Sequence, residues 1–392
     1  MTSINSKSIR FSGGLANSLV MVILLGILTG ASGQTGSAFL EAATPKVFLA
    51  QPLTVRWRYA SSGTLNLTPA ADNERIYLPL AGGSIVSLSA SEGQLYWKSE
   101  VGGEFSASPT ADNRALYVAS ETTAAEGDSR PTKGSLRALG REAGVTLWLK
   151  TLPVAIRGSL AMSEEKLFAG TSNGGFYSID KATGNVDWFV QLGSAFNCSP
   201  VISQHGVYVG SEDGTLISLE ERSGKVRWRY ATGGPVRGPV AINNDTVYFG
   251  SGDGYVYAVS EGDGHLHWRT RTGAGVQAVK SVSRGLLVAS FDNFVYLLSF
   301  QQGKRLWKRQ LPGRISAQPV TAEDGALFTP ISSDAGVVLA LRDGKQVNSL
   351  PTGEGSNTAA SPLIVADIVL LTTDQGLLAF SQPGKTKTSN RP

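Results

Sequence analysis

Few residues in this chain have types and spacings that suggest chemistry. Ser163 and Lys166 have the Ser-x-x-Lys spacing of some acyl-transfer enzymes, in which a helix N-terminus brings the two side chains together. Here the flanking sequence predicts a strand-to-strand turn instead. His265 and His267 point to one face of a predicted outer strand, which is a possible start of a metal site, but no third ligand is evident nearby. We expect both, and His205 in a separate turn, to be exposed surface histidines.

Two further features also have ordinary structural interpretations. The glycine-rich stretch 250–254 has predicted strands on both sides, so no helix N-terminus is available to bind phosphate, and we expect a hairpin turn. Cys198 is the single cysteine, which excludes an intramolecular disulfide. The sequence therefore predicts no catalytic, metal-binding or cofactor-binding residues, and no cofactor.

The elements that would position any site belong to a repeat of about 40 residues. Successive tryptophans are 39 or 40 residues apart except for one interval of 51, which a polar insertion at 121–133 explains. A fixed period of this length indicates a repeat array. The tryptophans are Trp57, Trp97, Trp148, Trp188, Trp228, Trp268 and Trp307.

Each repeat reads as short antiparallel strands. The unit 207–228 alternates apolar and polar residues around an Asp-Gly turn, which is typical of hairpins. With 46 glycines and only 17% charged residues, the composition fits many tight turns. We therefore predict an all-β fold over residues 53–384, an eight-bladed β-propeller of four-stranded antiparallel blades. Its second strands begin near Ile76, Leu116, Leu167, Val207, Val247, Leu286, Leu327 and Ile368.

Seven tryptophans have to serve eight units. Asn348 stands at the tryptophan position of the seventh unit, and the eighth unit ends without a tryptophan. Trp57 precedes the first complete unit, so we expect the N-terminal strand around it to join the last blade and close the ring. An indole at this position can bury roughly 150–250 Å² between blades, so all seven tryptophans are predicted to dock blades together.

The first 33 residues have the layout of a secretory signal peptide. Lys7 and Arg10 precede an apolar run at 19–28 and small residues at 29–33. The run is shorter than the roughly 20 residues that cross a bilayer, so cleavage is expected after residue 33. Residues 34–52 are predicted to be a linker, and 385–392 a disordered tail.

The charge and the N-terminal motif restrict the partners. Of the formal net charge of +4, Lys7 and Arg10 supply two charges, so the exported part is nearly neutral and nucleic acid is not expected as a partner. Residues 28–31 resemble a bacterial lipobox, but Ala31 stands where the lipidated cysteine is needed, so no lipid anchor is predicted.

The segment 176–188 resembles the tryptophan-docking repeat of pyrroloquinoline-quinone (PQQ) enzymes and their non-catalytic relatives, and the resemblance extends over about 53–384. Active PQQ dehydrogenases carry adjacent cysteines, a calcium ligand set and long insertions, which are not apparent here. Among exported eight-bladed relatives, the chain resembles the BamB family, the B subunit of the outer-membrane β-barrel assembly machine. The resemblance implies a partner protein in that assembly.

One loop carries the resemblance to BamB most directly. The family has a Leu-Ser-Leu-Arg-Gly-like motif that contacts the barrel-assembling partner, and the corresponding stretch here is 152–159. Its apolar alternation and Arg-Gly pair are kept. The resemblance therefore implies partner contacts by Val154, Ile156 and Arg157.

The following loop departs from the family pattern. An Asp-x-Asp-Thr-Thr-Pro-like motif corresponds to 195–200, where both acidic positions are lost and Asn197 is a further candidate. Arg237 lies two blades from Arg157 at an equivalent position, about 90° around the axis, with Cys198 and Gln277 at the matching places of neighbouring blades. The two arginines could hold an acidic loop or a carboxylate ligand, or simply cover the channel mouth.

The hypothesis favoured by these patterns is a non-enzymatic interaction scaffold of the bacterial envelope, monomeric by itself and located in the periplasm or near the outer membrane. One alternative is a propeller that binds a small ligand or quinone, as an oxidoreductase would. Another is a secreted carbohydrate-binding propeller.

Overall fold

A computed structural model describes residues 47–122, 133–353, 356 and 360–383. The expected signal peptide at 1–33 and the expected tail at 385–392 lie outside these residues. Within them the chain forms 33 β-strands and one short 3-10 turn at Ala81–Gly83, arranged as eight antiparallel sheets. No helix in this described part has the length and hydropathy needed to cross a membrane. The all-β, eight-bladed prediction is confirmed.

The strands follow one another blade by blade. The first, β1, is Thr54–Ala60. Blade 1 consists of β2 (Ala70–Ala71), β3 (Arg75–Leu80), β4 (Ser84–Ser89) and β5 (Leu95–Glu100). Blade 2 consists of β6 (Glu104–Phe105), β7 (Thr110–Ala111), β8 (Ala115–Glu121), β9 (Gly134–Gly140) and β10 (Thr146–Leu152). Blade 3 consists of β11 (Ile156–Met162), β12 (Lys166–Thr171), β13 (Gly175–Asp180) and β14 (Val186–Gln191). Blade 4 consists of β15 (Val201–Ser203), β16 (Gly206–Gly210), β17 (Thr215–Leu219) and β18 (Val226–Ala231).

The second half repeats this order. Blade 5 consists of β19 (Ala241–Asn243), β20 (Thr246–Gly250), β21 (Tyr255–Ser260) and β22 (Leu266–Arg271). Blade 6 consists of β23 (Val276–Val282), β24 (Gly285–Ser290), β25 (Phe294–Leu298) and β26 (Arg305–Gln310). Blade 7 consists of β27 (Val320–Thr321), β28 (Gly325–Phe328), β29 (Ala335–Ala340) and β30 (Gln346–Pro351). Blade 8 consists of β31 (Leu363–Val365), β32 (Ile368–Thr373), β33 (Gly376–Ser381) and β1.

The core lies between neighbouring blades. The two middle strands of a blade are covered on both faces and are almost wholly buried, whereas the fourth strand alternates between exposed residues and buried or half-buried ones. One such layer, between blades 4 and 5, is formed by Tyr208, Leu216, Trp228, Val236, Val240, Val247, Phe249, Tyr257 and Val259.

The tryptophans dock each blade to the next through one repeated contact. Each indole Nε1 donates to a backbone carbonyl in the turn before the fourth strand of the following blade, at 2.8–3.1 Å. Each indole also lies on a glycine of that turn. These glycines have φ between +62° and +75°, and an added Cβ would come within 2.4–2.8 Å of an indole carbon. Both conditions favour glycine. They are Gly93, Gly144, Gly184, Gly224, Gly264, Gly303 and Gly344.

The last blade contains strands from both ends of the propeller. β1 pairs antiparallel with β33, and Trp57 faces Ala379 across the pair. This is the pairing that the position of Trp57 predicts.

Residues 47–52, part of the predicted linker, are packed against blades 7 and 8. Leu49 is fully buried, and its N–H donates to Asp324 Oδ1 at 3.0 Å. Asn348, at the position of the absent tryptophan, donates from Nδ2 to the carbonyls of Leu49 and Gln51 at 2.9 and 2.6 Å. Residues 47–52 therefore do not behave as a free linker, because Val47 and Leu49 pack into the junction where other blades insert an indole.

Candidate functional site

The candidate residues lie on loops at one end of the propeller. Because the four strands of a blade alternate in direction, the connections between blades share this end with the turns between second and third strands. Arg157 is near the start of β11, and Asn197 and Arg237 lie on the connections that enter blades 4 and 5. The predicted residues are therefore brought to neighbouring loops of blades 3, 4 and 5.

Arg157 is held by a carboxylate of the preceding blade. Its Nη1 and Nη2 donate to Oε1 and Oε2 of Glu121 at 3.1 and 2.8 Å. This parallel, two-bond geometry is the strongest arrangement for an arginine and a carboxylate. The Arg157 side chain remains 36% exposed while Glu121 is 18% exposed, so the pair fixes the guanidinium and still leaves part of it accessible.

Arg237, two blades further on, is held in the same way by a glutamate of its preceding blade. Its Nε and Nη2 donate to Glu212 at 2.9 and 2.7 Å, and Asn197 Nδ2 donates to Glu212 Oε1 at 2.9 Å. The hydrogen bond from Arg237 holds the pKa of Glu212 below its usual range, against the opposing effect of burial. The Arg237 side chain is 51% exposed. Glu212 thus joins Asn197 and Arg237 into one polar cluster.

The two glutamates do not stand out in the sequence. Glu121 is the last residue of β8, and Glu212 lies in the turn between β16 and β17. Each glutamate precedes its arginine by a substantial part of a repeat, so a short sequence motif around the arginine does not include it. The signal that could have found them is an acidic residue at or just after the end of the second strand in the blade before each arginine.

The alignment of Cys198 with the arginines was wrong by one residue. The N–H groups of Phe196 and Val236 donate to equivalent turn carbonyls in the preceding blade, Thr171 O and Ser211 O, each at 3.1 Å. The exposed residue that follows is Asn197 in one blade and Arg237 in the other. Asn197, not Cys198, therefore shares the exposed loop position.

Ile156 is not available to a partner in this structure. It is 1% exposed and belongs to the core layer between blades 2 and 3. Val154 is half-buried and stays accessible in part. Apolar residues alternate in this loop because every second side chain packs inward. Ile156 therefore has a packing role, and the prediction that it contacts a partner is wrong.

Cys198 is a core residue with no sign of reactivity. It is 2% exposed, and its Sγ donates to the carbonyl of Gly210 at 3.1 Å. Burial raises the pKa of its thiol to about 12, and a thiol in such surroundings is inert because the thiolate is the reactive form.

The other motifs take their expected structural places. Ser163 lies in the turn between β11 and β12, where its N–H donates to Lys166 O at 2.9 Å. The stretch 250–254 is the turn between β20 and β21, as predicted, and its Asp253 accepts from Gly233 N and the Tyr257 hydroxyl at 2.9 and 2.6 Å.

All three histidines are exposed, as the sequence predicts. His205 lies with Asp245 and Glu261 in the one group of described residues whose ligand atoms are close enough to hold a metal ion, all within 4.8 Å of one another. This group is on the turns at the other end of the blades.

Comparisons with solved structures agree with the fold. BamB from Moraxella catarrhalis superposes with a TM-score of 0.69 at 14% identity, covering 86% of this chain and 99% of that one. The computationally designed Ika8 protein gives 0.71 at 14% identity, covering 83% and 98%. Quinohemoprotein alcohol dehydrogenase from Comamonas testosteroni gives 0.67 at 10% identity, covering 84% and 76%. At these identities the likeness concerns the fold alone.

Comparisons of sequence identify the family. No curated protein sequence matches the chain significantly. A family model described as "Outer membrane protein assembly factor BamB" matches in three overlapping segments, residues 49–197, 132–237 and 212–391. These segments together span the whole propeller, so this PQQ-like propeller chain belongs to the family described as outer membrane protein assembly factor BamB.

Proposed function

We propose that the protein is a non-enzymatic scaffold of the bacterial cell envelope that binds another envelope protein through the loops carrying Val154, Arg157, Asn197 and Arg237. The partner we favour is a component of outer-membrane β-barrel assembly. The observation that carries the proposal is the presence, on one end of a BamB-family propeller, of two arginines held in place by glutamates and still partly exposed.

The geometry of these pairs suits recognition of a protein surface. An arginine whose fork is already oriented loses less side-chain entropy on binding than a free one. Arg237 uses Nε and Nη2 toward Glu212, and its Nη1 has no hydrogen-bond partner among the described residues. A partner carboxylate or backbone carbonyl can accept from that group. Arginine is also enriched among the residues that dominate binding energy at interfaces.

The proposal also includes where the protein is located and how it is attached to the outer membrane. The sequence pattern of residues 1–33 is that of an export signal, and the family description names an outer-membrane assembly factor. Together they support a periplasmic protein at the outer membrane. Because Ala31 replaces the lipobox cysteine, attachment there would rest on the protein partner and not on a lipid.

Co-purification with charge-reversal variants tests the proposal. The protein is captured from crosslinked cells as the wild type, as Arg157→Glu and as Arg237→Glu, with Arg222→Glu as the matched control. Arg222 is exposed on a turn at the other end of blade 4. We expect both loop variants to lose an outer-membrane assembly component that the wild type and the control retain.

Two outcomes would contradict the proposal. Unchanged capture by Arg157→Glu and Arg237→Glu, with thermal unfolding showing that each variant is folded, would exclude this surface. An absorption band beyond that of the aromatic residues in the purified protein would instead indicate a bound chromophore such as a quinone.

A further inference from the structure

We propose that His205, Asp245 and Glu261 form a binding site for a divalent transition-metal ion at the junction of blades 4 and 5. The site is independent of the proposed partner surface. Its three side chains come from three turns, and their ligand atoms already lie within 4.8 Å of one another.

The backbone places these three side chains together. His205 is in the turn between β15 and β16, Asp245 is in the equivalent turn of blade 5, and Glu261 follows β21. Asp245 has φ +56°, and its carbonyl accepts from Glu261 N at 2.8 Å. Asp245 and Glu261 are therefore fixed relative to each other, and His205 reaches them from the neighbouring blade.

The Glu261 carboxylate is the unusual member of the group. Its side chain is only 4% exposed, and Oε1 accepts hydrogen bonds from Ser203 Oγ at 2.5 Å and from the Tyr208 hydroxyl at 3.0 Å. Oε2 faces His205 Nδ1 at 3.2 Å. Placing a carboxylate in such an environment is costly unless a cation accompanies it, and an imidazole provides a cation only when it is protonated.

A metal ion would satisfy the group more fully than a proton. With bonds of about 2.1 Å, adjacent ligand atoms on a tetrahedral Zn²⁺ are roughly 3.4 Å apart, which is close to the 3.2 Å between His205 Nδ1 and Glu261 Oε2. One imidazole and two carboxylates suit Zn²⁺ and related ions, and leave a coordination position for water. The hydrogen bonds from Ser203 and Tyr208 would orient the buried ligand, as outer-shell partners do in metalloproteins.

Cations near the site oppose binding, and a backbone contact supports it. Lys225 and Glu220 line the same cavity as His205, and their charges offset each other. Arg227 Nη1 donates to the carbonyl of His205 at 2.5 Å, which brings a positive charge beside the cluster and also fixes the turn. Trp228 Nε1 donates to the carbonyl of Glu261 at 3.0 Å, which ties the site to the docking contact of the same blades. Since Lys225 and Glu220 offset each other, the charge of the site's two carboxylates exceeds that of Arg227, and the balance still favours a divalent ion.

Isothermal titration calorimetry of the tag-free, full-length purified protein with ZnCl₂ tests the inference. We expect one Zn²⁺ per chain. His205→Gln and Glu261→Gln should each weaken the affinity at least as much as loss of an outer-shell contact, about 10- to 100-fold. Glu261→Gln keeps an oxygen for Ser203 and Tyr208, so it tests the charge without removing the acceptor. His267→Gln, at an exposed histidine outside the group, should bind as the wild type does.

The outcomes separate clearly. Loss of the site in His205→Gln and Glu261→Gln with retention in His267→Gln would establish it. Absence of Zn²⁺ binding by the wild type, or equal affinity in all four proteins, would overturn the inference, and circular dichroism of each variant ensures that a loss is not due to unfolding.

Discussion

Gly224 allows a direct measurement of how the blades are docked. The indole of Trp188 lies on this glycine, whose φ is +70°, and a Cβ added there would be 2.5 Å from Trp188 Cε3. Gly224→Ala therefore carries two costs. A left-handed alanine costs about 1–2 kcal/mol, and displacing a packed side chain costs a further 1–3 kcal/mol, approximately.

Gly102→Ala carries only the first cost, so comparing the two variants isolates the cost of displacing the indole. Gly102 has a similar φ of +73°, but nothing lies within 4 Å of its added Cβ. Both variants reduce the entropy of the unfolded chain by the same amount, about 0.4–1 kcal/mol in favour of folding, so this term cancels in the comparison. The difference in the free energy of unfolding between them should thus be about 1–3 kcal/mol, the cost of moving the indole.

Urea unfolding followed by circular dichroism and by tryptophan fluorescence measures this difference. We expect Gly224→Ala to unfold at clearly lower urea than Gly102→Ala, with a changed tryptophan spectrum in the folded state. Equal midpoints for the two variants would refute the conclusion that the glycine is required by the docked indole.

Three further predictions concern the N-terminal segment, the thiol and the loop cluster. Leu49→Ala should reduce the free energy of unfolding by about 2–5 kcal/mol, as for a buried leucine, whereas Phe48→Ala, at a side chain 44% exposed, should change it little; equal losses in urea titrations would contradict the packing role. Cys198 should react with Ellman's reagent only upon unfolding, because burial raises its pKa to about 12; rapid labelling of the native protein would contradict this. The lowered pKa of Glu212 adds stability that is complete above the ordinary glutamate pKa of about 4.3 and is lost as pH falls through the folded value. Arg237→Gln should therefore reduce the fall in melting temperature between neutral and acidic pH. The same fall in the variant as in the wild type would contradict the role of the Arg237–Glu212 ion pair.

The architecture was predictable because the docking contact recurs at a fixed interval. A tryptophan in seven of the eight outer strands and a glycine in the next blade's turn are both visible in the sequence, so the period predicts the number of blades. The junction of blades 7 and 8 was not predictable in the same way. There Asn348 and the segment 47–52 replace an indole, and the contact joins residues nearly 300 positions apart.

The candidate site was predictable only in part. The arginines are visible through their loop positions, but Glu121 and Glu212 are separated from them by 36 and 25 residues. The prediction about Ile156 failed because apolar alternation marks inward-facing residues as well as partner contacts. The cluster at His205 escaped detection because its members belong to three turns in two blades, and only the packing of the blades brings them together.

Site-specific photocrosslinking in living cells tests the proposed function most directly. A photoreactive amino acid replaces Asn197, the exposed residue at the loop position between those of Arg157 and Arg237 in the chain, and in a control it replaces Ser223, exposed on a turn at the other end of blade 4. The proposal predicts that position 197 forms an adduct with an outer-membrane barrel-assembly component and that position 223 does not. No adduct at position 197, or the same adducts at both positions, would contradict it.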